Sequence, residues 1–231
     1  MVAAPEARES ALMRLAERLE ELRHWVAVAR AGLSSEAVHE ARVTGRRLRA
    51  FLMLGQQHVL VDDLRWLVGS LGRLRDLDVA LETSVGAGGP FHAWLVAARA
   101  TESEQALRVL EHPRLDALLA ALGQVRPVSK REAMTALQRL EVKLRLSQKA
   151  ARRDVTIEAL HEVRKAVRRK RYALDWLGRD TSELQATQAV VGEACDLNLL
   201  ARLLAESGQE DAAVRVERAL ERLVPALAAM R

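Results

Sequence analysis

Glu36-Ala-Val-His-Glu-Ala-Arg-Val-Thr-Gly-Arg-Arg-Leu-Arg49 returns 122 residues later as Glu158-Ala-Leu-His-Glu-Val-Arg-Lys-Ala-Val-Arg-Arg-Lys-Arg171. Both segments read Glu-Ala-x-His-Glu-x-Arg, then two adjacent arginines, then one more. A second pair follows in the same order: Gly72-Arg-Leu-Arg-Asp-Leu-Asp78 and, 120 residues on, Gly192-Glu-Ala-Cys-Asp-Leu-Asn198. Chance supplies one arginine-rich match in such a composition, but hardly two in register. The pairs therefore point to a duplicated unit.

On a helical wheel at about 100° per residue, His39, Arg42, Arg46 and Arg49 form a stripe, with Arg47 at its flank. His161, Arg164, Arg168, Arg171 and Arg169 repeat the arrangement, and Lys165 adds a cation to the second copy. Val38, Ala41, Gly45, Leu48 and Leu52 fall on the other face of the first helix. Leu160, Val163, Val167 and Leu174 do so on the second, with Lys170 at the edge of that face. Each helix thus has a core side and a cationic side. Exposed helix faces usually intersperse acids so that i,i+4 ion pairs form, and stacked like charges repel by a few tenths of a kcal/mol. Both copies accept that repulsion at the same positions, which favours a binding role over a merely solvated face.

Outward from these helices, apolar residues recur at helical spacing almost everywhere. Helices are predicted at roughly 6–31, 35–54, 62–85, 91–110, 113–123, 129–150, 155–177, 181–207 and 209–229. Ser34 or Ser35 is placed to cap the second of these, and Asp154 the seventh. Val85–Pro90 reads as a loop. Gly123–Ser129, short and holding Gly and Pro, divides an N-terminal half (1–123) from a C-terminal half (129–231) of one domain spanning 1–231. No segment alternates with period two, so the fold class is all-α.

Composition agrees. Of 231 residues, 49% are hydrophobic and only 3% aromatic, which permits a core built from Ala, Leu and Val rather than a strand-rich one. A formal charge of +5 makes an anionic partner plausible, although only five of the 36 basic residues are lysines, as coding bias alone would give. A single cysteine, Cys195, excludes an intrachain disulfide and a thiolate metal cluster. No apolar run reaches membrane-spanning length, and Met1–Glu20 lacks a signal-type stretch. The expectation is a soluble cytoplasmic chain with no membrane partner.

The two helical motifs, with the Arg75-Asp-Leu-Asp-Val79 run and its degenerate partner Asp196-Leu-Asn198, resemble the CHAD family (conserved histidine α-helical domain). The resemblance covers most of the chain, from about the first helix onward. It implies two four-helix-bundle-like halves related by pseudo-twofold symmetry, and a basic groove that binds inorganic polyphosphate. Family members accompany polyphosphate granules or are fused to triphosphate-tunnel enzymes; the acidic, strand-borne metal site of those enzymes is missing here. The implied binding residues are His39, Arg42, Arg46, Arg47, Arg49, His161, Arg164, Lys165, Arg168, Arg169 and Arg171. Arginine suits this ligand because its planar fork makes paired, charge-assisted hydrogen bonds to phosphate. Gly45, Thr44 and Val43 interrupt the first copy. Arg75 faces only Cys195 in the alignment and carries over weakly.

Two other classes fit less well. A nucleic-acid binder would use the same basic helices, but RNA and single-strand modules usually present aromatic stacking platforms. The few aromatic residues here sit singly in apolar helical patterns. An enzyme is not expected: His39-Glu40 would need a second histidine at position 43, which is valine, to read as a zinc-protease helix. His24, His58, His92 and His112 lack ligand spacing, no metal or cofactor is implied, and Asp76 and Asp78 suit a packing network.

Overall fold

The computed structural model describes residues 5–83 and 89–229, with side chains over 14–83 and 89–222. Most of the Val85–Pro90 loop therefore lies outside the described residues. Ten helices are present among them: α1 (Pro5–Ala31), α2 (Ser35–Leu54), α3 (Val59–Ser70), α4 (Gly72–Thr83), α5 (Gly89–Leu110), α6 (Pro113–Leu122), α7 (Lys130–Arg153), α8 (Ile157–Trp176), α9 (Ser182–Glu206) and α10 (Glu210–Ala229). No strand occurs among the described residues, so the chain is all-α.

The repeated motifs lie on α2 and α8, which are 20 residues each and begin and end in the same register. Ser34 caps α2 by accepting a hydrogen bond from the Ala37 amide at 3.1 Å. Thr156, 122 residues later, caps α8 in the same way through Ala159, also at 3.1 Å. The capping residue of α8 is thus Thr156 and not Asp154. A side-chain oxygen two residues nearer the helix satisfies one of the orphan amides of its first turn.

The chain divides into two compact units, Met1–Ala136 and Leu137–Arg231. The division falls within α7, beyond the Gly123–Ser129 linker, because the start of α7 is tied back to the first unit. Ser129 and Glu132 form a capping box: the Ser129 amide donates to Glu132 Oε2 at 2.9 Å and the Glu132 amide to Ser129 Oγ at 3.2 Å. Arg126 then links Glu132 Oε1 (2.5 Å) to the Gly55 carbonyl at the end of α2 (3.1 Å).

In the first unit α2 packs against α1, α3 and α4, and α4 against α5. Its core is sealed by leucines from several of these helices, including Leu22, Leu48, Leu52, Leu64, Leu67, Leu74, Leu77 and Leu95. In the second unit, α8 packs on α9 and α9 on α10. Leu160, Val163, Ala166 and Val167 of α8 meet Val191, Ala194 and Cys195 of α9, with Leu144, Ala151 and Leu220 around them. Lys170, expected at the edge of the apolar face of α8, pairs with Glu141 of α7 at 2.5 Å.

The predicted helix at 62–85 is two helices, α3 and α4, broken at Leu71. The Leu71 amide closes α3 by donating to the Leu67 and Gly69 carbonyls. Gly45, an apparent weakness of α2, is the point of close approach to α3, where a Cβ would come within 2.9 Å of Val68 Cγ2. Gly45→Ala gains about 1 kcal/mol of helix propensity, but overpacking a buried contact costs about 1–3 kcal/mol. The substitution is expected to lower the denaturation midpoint in wild type and to raise it in a Val68→Ala background, read by urea titration. A rise in both backgrounds would remove steric closeness as the reason for the glycine.

Candidate functional site: the cationic faces of α2 and α8

The residue three after the histidine is buried on α2 and partly exposed on α8. Arg42 is only 9% exposed and its Nη1 donates to the Val68 carbonyl. Val68 lies in the last turn of α3, where carbonyls lack intrahelical partners and the helix end is negative. The break at Leu71 therefore supplies the acceptor that a buried guanidinium needs. Gly72, first residue of α4, supplies the space, since a Cβ there would lie 3.1 Å from Arg42 Nη1. Burial first, and then the Arg46 charge, push Arg42 down to about 10, while Asp76 opposes that shift. At neutral pH it stays cationic. Arg42 Nε is buried without a hydrogen-bond partner.

Arg164 occupies the same position in the second unit and meets the matched glycine. A Cβ on Gly192 would lie 3.8 Å from Arg164 Nη2. Here α9 runs unbroken past Gly192, so no helix-end carbonyl is available. The counter-group is instead Asp196, at 3.4 Å from Arg164 Nη1. The two motif pairs found in the sequence are thus neighbours in space; Gly72 makes room for Arg42, while Gly192 stands at ordinary contact distance from Arg164.

The remaining cations face outward to different degrees. Arg46, Arg47 and Arg49 on α2, and Lys165, Arg168, Arg169 and Arg171 on α8, are all partly exposed. Lys165 pairs with Glu162 one turn back on its own helix at 2.8 Å, and Arg171 leans over the Tyr172 ring at 4.8 Å. His39 and His161 sit at the heads of the rows. Each is held below the ordinary histidine range, first by partial burial. Arg75, Arg46 and Arg42 add to this at His39, against Glu40. Lys165, Arg164 and Arg168 do so at His161, against Glu162.

Arg75, weakly supported by the repeat, is a full member of the first cluster. It reaches from α4 to the start of α2, donating to Ser35 Oγ at 2.5 Å and to Glu82 Oε1 at 3.0 Å. Asp78 has a structural task. It is buried on α4 and accepts from Arg99 Nε at 2.6 Å, while Arg99 Nη2 donates to the Leu33 carbonyl just before α2. Burial raises the Asp78 carboxyl above its ordinary range in spite of that pairing.

Among the described residues no group of His, Cys, Asp or Glu is arranged to hold a metal ion. No described helix is long and apolar enough to cross a membrane. No described aromatic side chain is fully exposed; Phe51, Tyr172 and Trp176 are buried, and Trp66 is covered by Arg114 at 4.7 Å.

Fold and site together define an all-helical module that carries one cation-lined helix in each of two units. The CHAD domain model matches residues 13–205, most of the chain, and the protein belongs to that family. The crystal structure of the CHAD domain from the plant Ricinus communis is similar, with a TM-score of 0.70 and 28% identity over 97% of this chain and 87% of that one. PptA from Streptomyces chartreusis shares the fold, with a TM-score of 0.73 and 17% identity over 95% of each chain. Among curated proteins no sequence matches.

Removing the Arg75 charge should relax His39 alone. In Arg75→Gln, the His39 ring titration followed by NMR is expected to move up toward the ordinary histidine range while His161 stays in place. An unmoved His39 would show that burial and α2 itself set its protonation.

Proposed function

We propose that the protein binds inorganic polyphosphate without catalysis, and that the rows on α2 and α8 are its contact surfaces. The observation that carries this reading is the matched register of half-exposed cations on two helices of the same length, each capped by a hydroxyl at the matching position. Repeated guanidinium forks on a rigid helix complement a repeating anion better than a single phosphate. Family membership supports the same ligand through the resemblance described above, and association with polyphosphate granules would follow from it.

The structure changes which residues are assigned to contact. Arg42 is buried and engaged by Val68, so it shapes the α2 face from beneath, whereas Arg164 is partly exposed like its neighbours on α8 and stays in the row. The direct contacts are assigned to Arg46, Arg47 and Arg49 with His39, and to Arg164, Lys165, Arg168, Arg169 and Arg171 with His161. A nucleic acid would meet the same charge but find no exposed aromatic platform on these helices.

Three outcomes test this in equilibrium titrations with polyphosphate of defined length. Arg46→Glu combined with Arg168→Glu should weaken binding by about tenfold or more, and unchanged affinity in a folded double variant would refute the assigned surfaces. Affinity should fall steeply with added salt, as counterion release requires. Polyphosphate should also displace DNA or RNA at far lower phosphate concentration; the reverse order would favour a nucleic-acid role.

Proton linkage gives a further expectation. Both histidines lie below their ordinary range in the free protein, and a bound polyanion favours the imidazolium. Binding therefore takes up protons, and affinity should rise as pH falls from 8 to 6. His39→Gln with His161→Gln should flatten that dependence. A wild type that is already flat would remove the histidines from the site.

A further inference from the structure

Ser35, Arg75 and Glu82 form a closed chain beside His39. Arg75 Nη1 donates to Ser35 Oγ at 2.5 Å and to Glu82 Oε1 at 3.0 Å, Arg75 Nη2 reaches Glu82 Oε2 at 3.5 Å, and the Ser35 hydroxyl donates to Glu82 Oε1. The burial is lopsided: the Arg75 side chain is 19% exposed and the Glu82 side chain 53%. A mostly desolvated cation is thus neutralised by a carboxylate that itself remains open to solvent.

The second unit lacks all three partners together. In the 120-residue register of the Gly72 and Gly192 motifs, Cys195 stands for Arg75 and Arg202 for Glu82; in the 122-residue register of α2 and α8, Ile157 stands for Ser35. Arg202 is turned to Glu206 on its own helix, at 3.9 Å. Three positions on two helices that are polar together in one unit, and lost together in the other, behave as one device. Packing alone does not require it, because α9 makes the matching approach to α8 without it.

We propose, building on the polyphosphate reading, that Glu82 is an internal stand-in for the ligand, and that a phosphoryl group displaces it to gain Arg75 and Ser35 as contacts. A phosphoryl group offers the acceptor oxygens that the carboxylate offers, with more charge. Arg75 then extends the α2 row sideways onto α4, next to His39. The first unit carries this exchange and the second does not. Glu82 lowers affinity there and makes binding selective for anions strong enough to compete with an ion pair.

The test is a double-mutant cycle with Glu82→Gln and Arg75→Gln. Glutamine keeps an acceptor for Ser35 but removes the competing charge. Glu82→Gln alone should bind polyphosphate about two- to fivefold more tightly, the scale of a partly exposed ion pair. That gain should vanish in the Arg75→Gln background. A gain that persists there would be a general charge effect, and a loss in Glu82→Gln would make Glu82 a positioning residue for Arg75; either outcome overturns the proposal. A second arm needs no polyphosphate binding: inorganic phosphate is titrated while the His39 ring signals are followed by NMR. Glu82→Gln should respond at lower phosphate than wild type, and equal response overturns the exchange. Failure of wild type to bind polyphosphate at all would instead strike the proposed function.

Discussion

Burying a guanidinium among helices is costly unless an acceptor and a space are provided for it. Arg42 has both, because α3 ends at Ser70 and α4 begins with a glycine. The Val68 carbonyl is left over at the negative end of α3, and Gly72 has no side chain to collide with Arg42 Nη1. This contact locks α2, α3 and α4 together at one point. It also fixes the rotation of α2, and so decides which of its cations reach solvent. Arg164, less buried, lies beside Gly192 with the Asp196 carboxylate as its partner.

The same constraint explains why the two cationic faces differ. In the first unit the buried cation draws its partner from the backbone, leaving Arg75 to be neutralised by Glu82 and Ser35. In the second, Asp196 answers Arg164, a cysteine takes the Arg75 position, and Lys165 is matched by Glu162. Each unit therefore places counter-charge where desolvation demands it and leaves the outer row half exposed. The histidines lie at the boundary between these zones, and so feel both partial burial and neighbouring positive charge.

Much of this was legible in the sequence. Helical periodicity and the scarcity of Ile, Thr, Tyr and Phe pointed to the all-α class; the bounds of α2 were met, while α8 runs Ile157–Trp176 rather than over 155–177. The break at Leu71 was not legible. No proline marks it, and Leu71-Gly72 is tolerable inside a helix; the tertiary demand of Arg42 determines it. On the wheel Arg42 lies within the stripe, between Arg46 and Arg49; only its contact with the Val68 carbonyl of α3 sets it apart as buried. Asp154 looked like a cap by residue type, but capping depends on which oxygen reaches the third amide, and Thr156 does. Arg75 was undervalued because its alignment partner is Cys195. Glu82 and Ser35 lie outside the repeated motif and gave no signal until α2 and α4 were seen side by side.

The most direct measurement is arginine side-chain NMR, following Nε–Hε signals while polyphosphate is added. Signals of Arg46, Arg49, Arg168 and Arg169 should shift together at the same ligand concentration, and that of Arg42, held on Val68, should hardly move. Shifts confined to arginines away from α2 and α8, such as Arg108 and Arg114, with the rows unchanged, would contradict a ligand surface built on the two repeated helices.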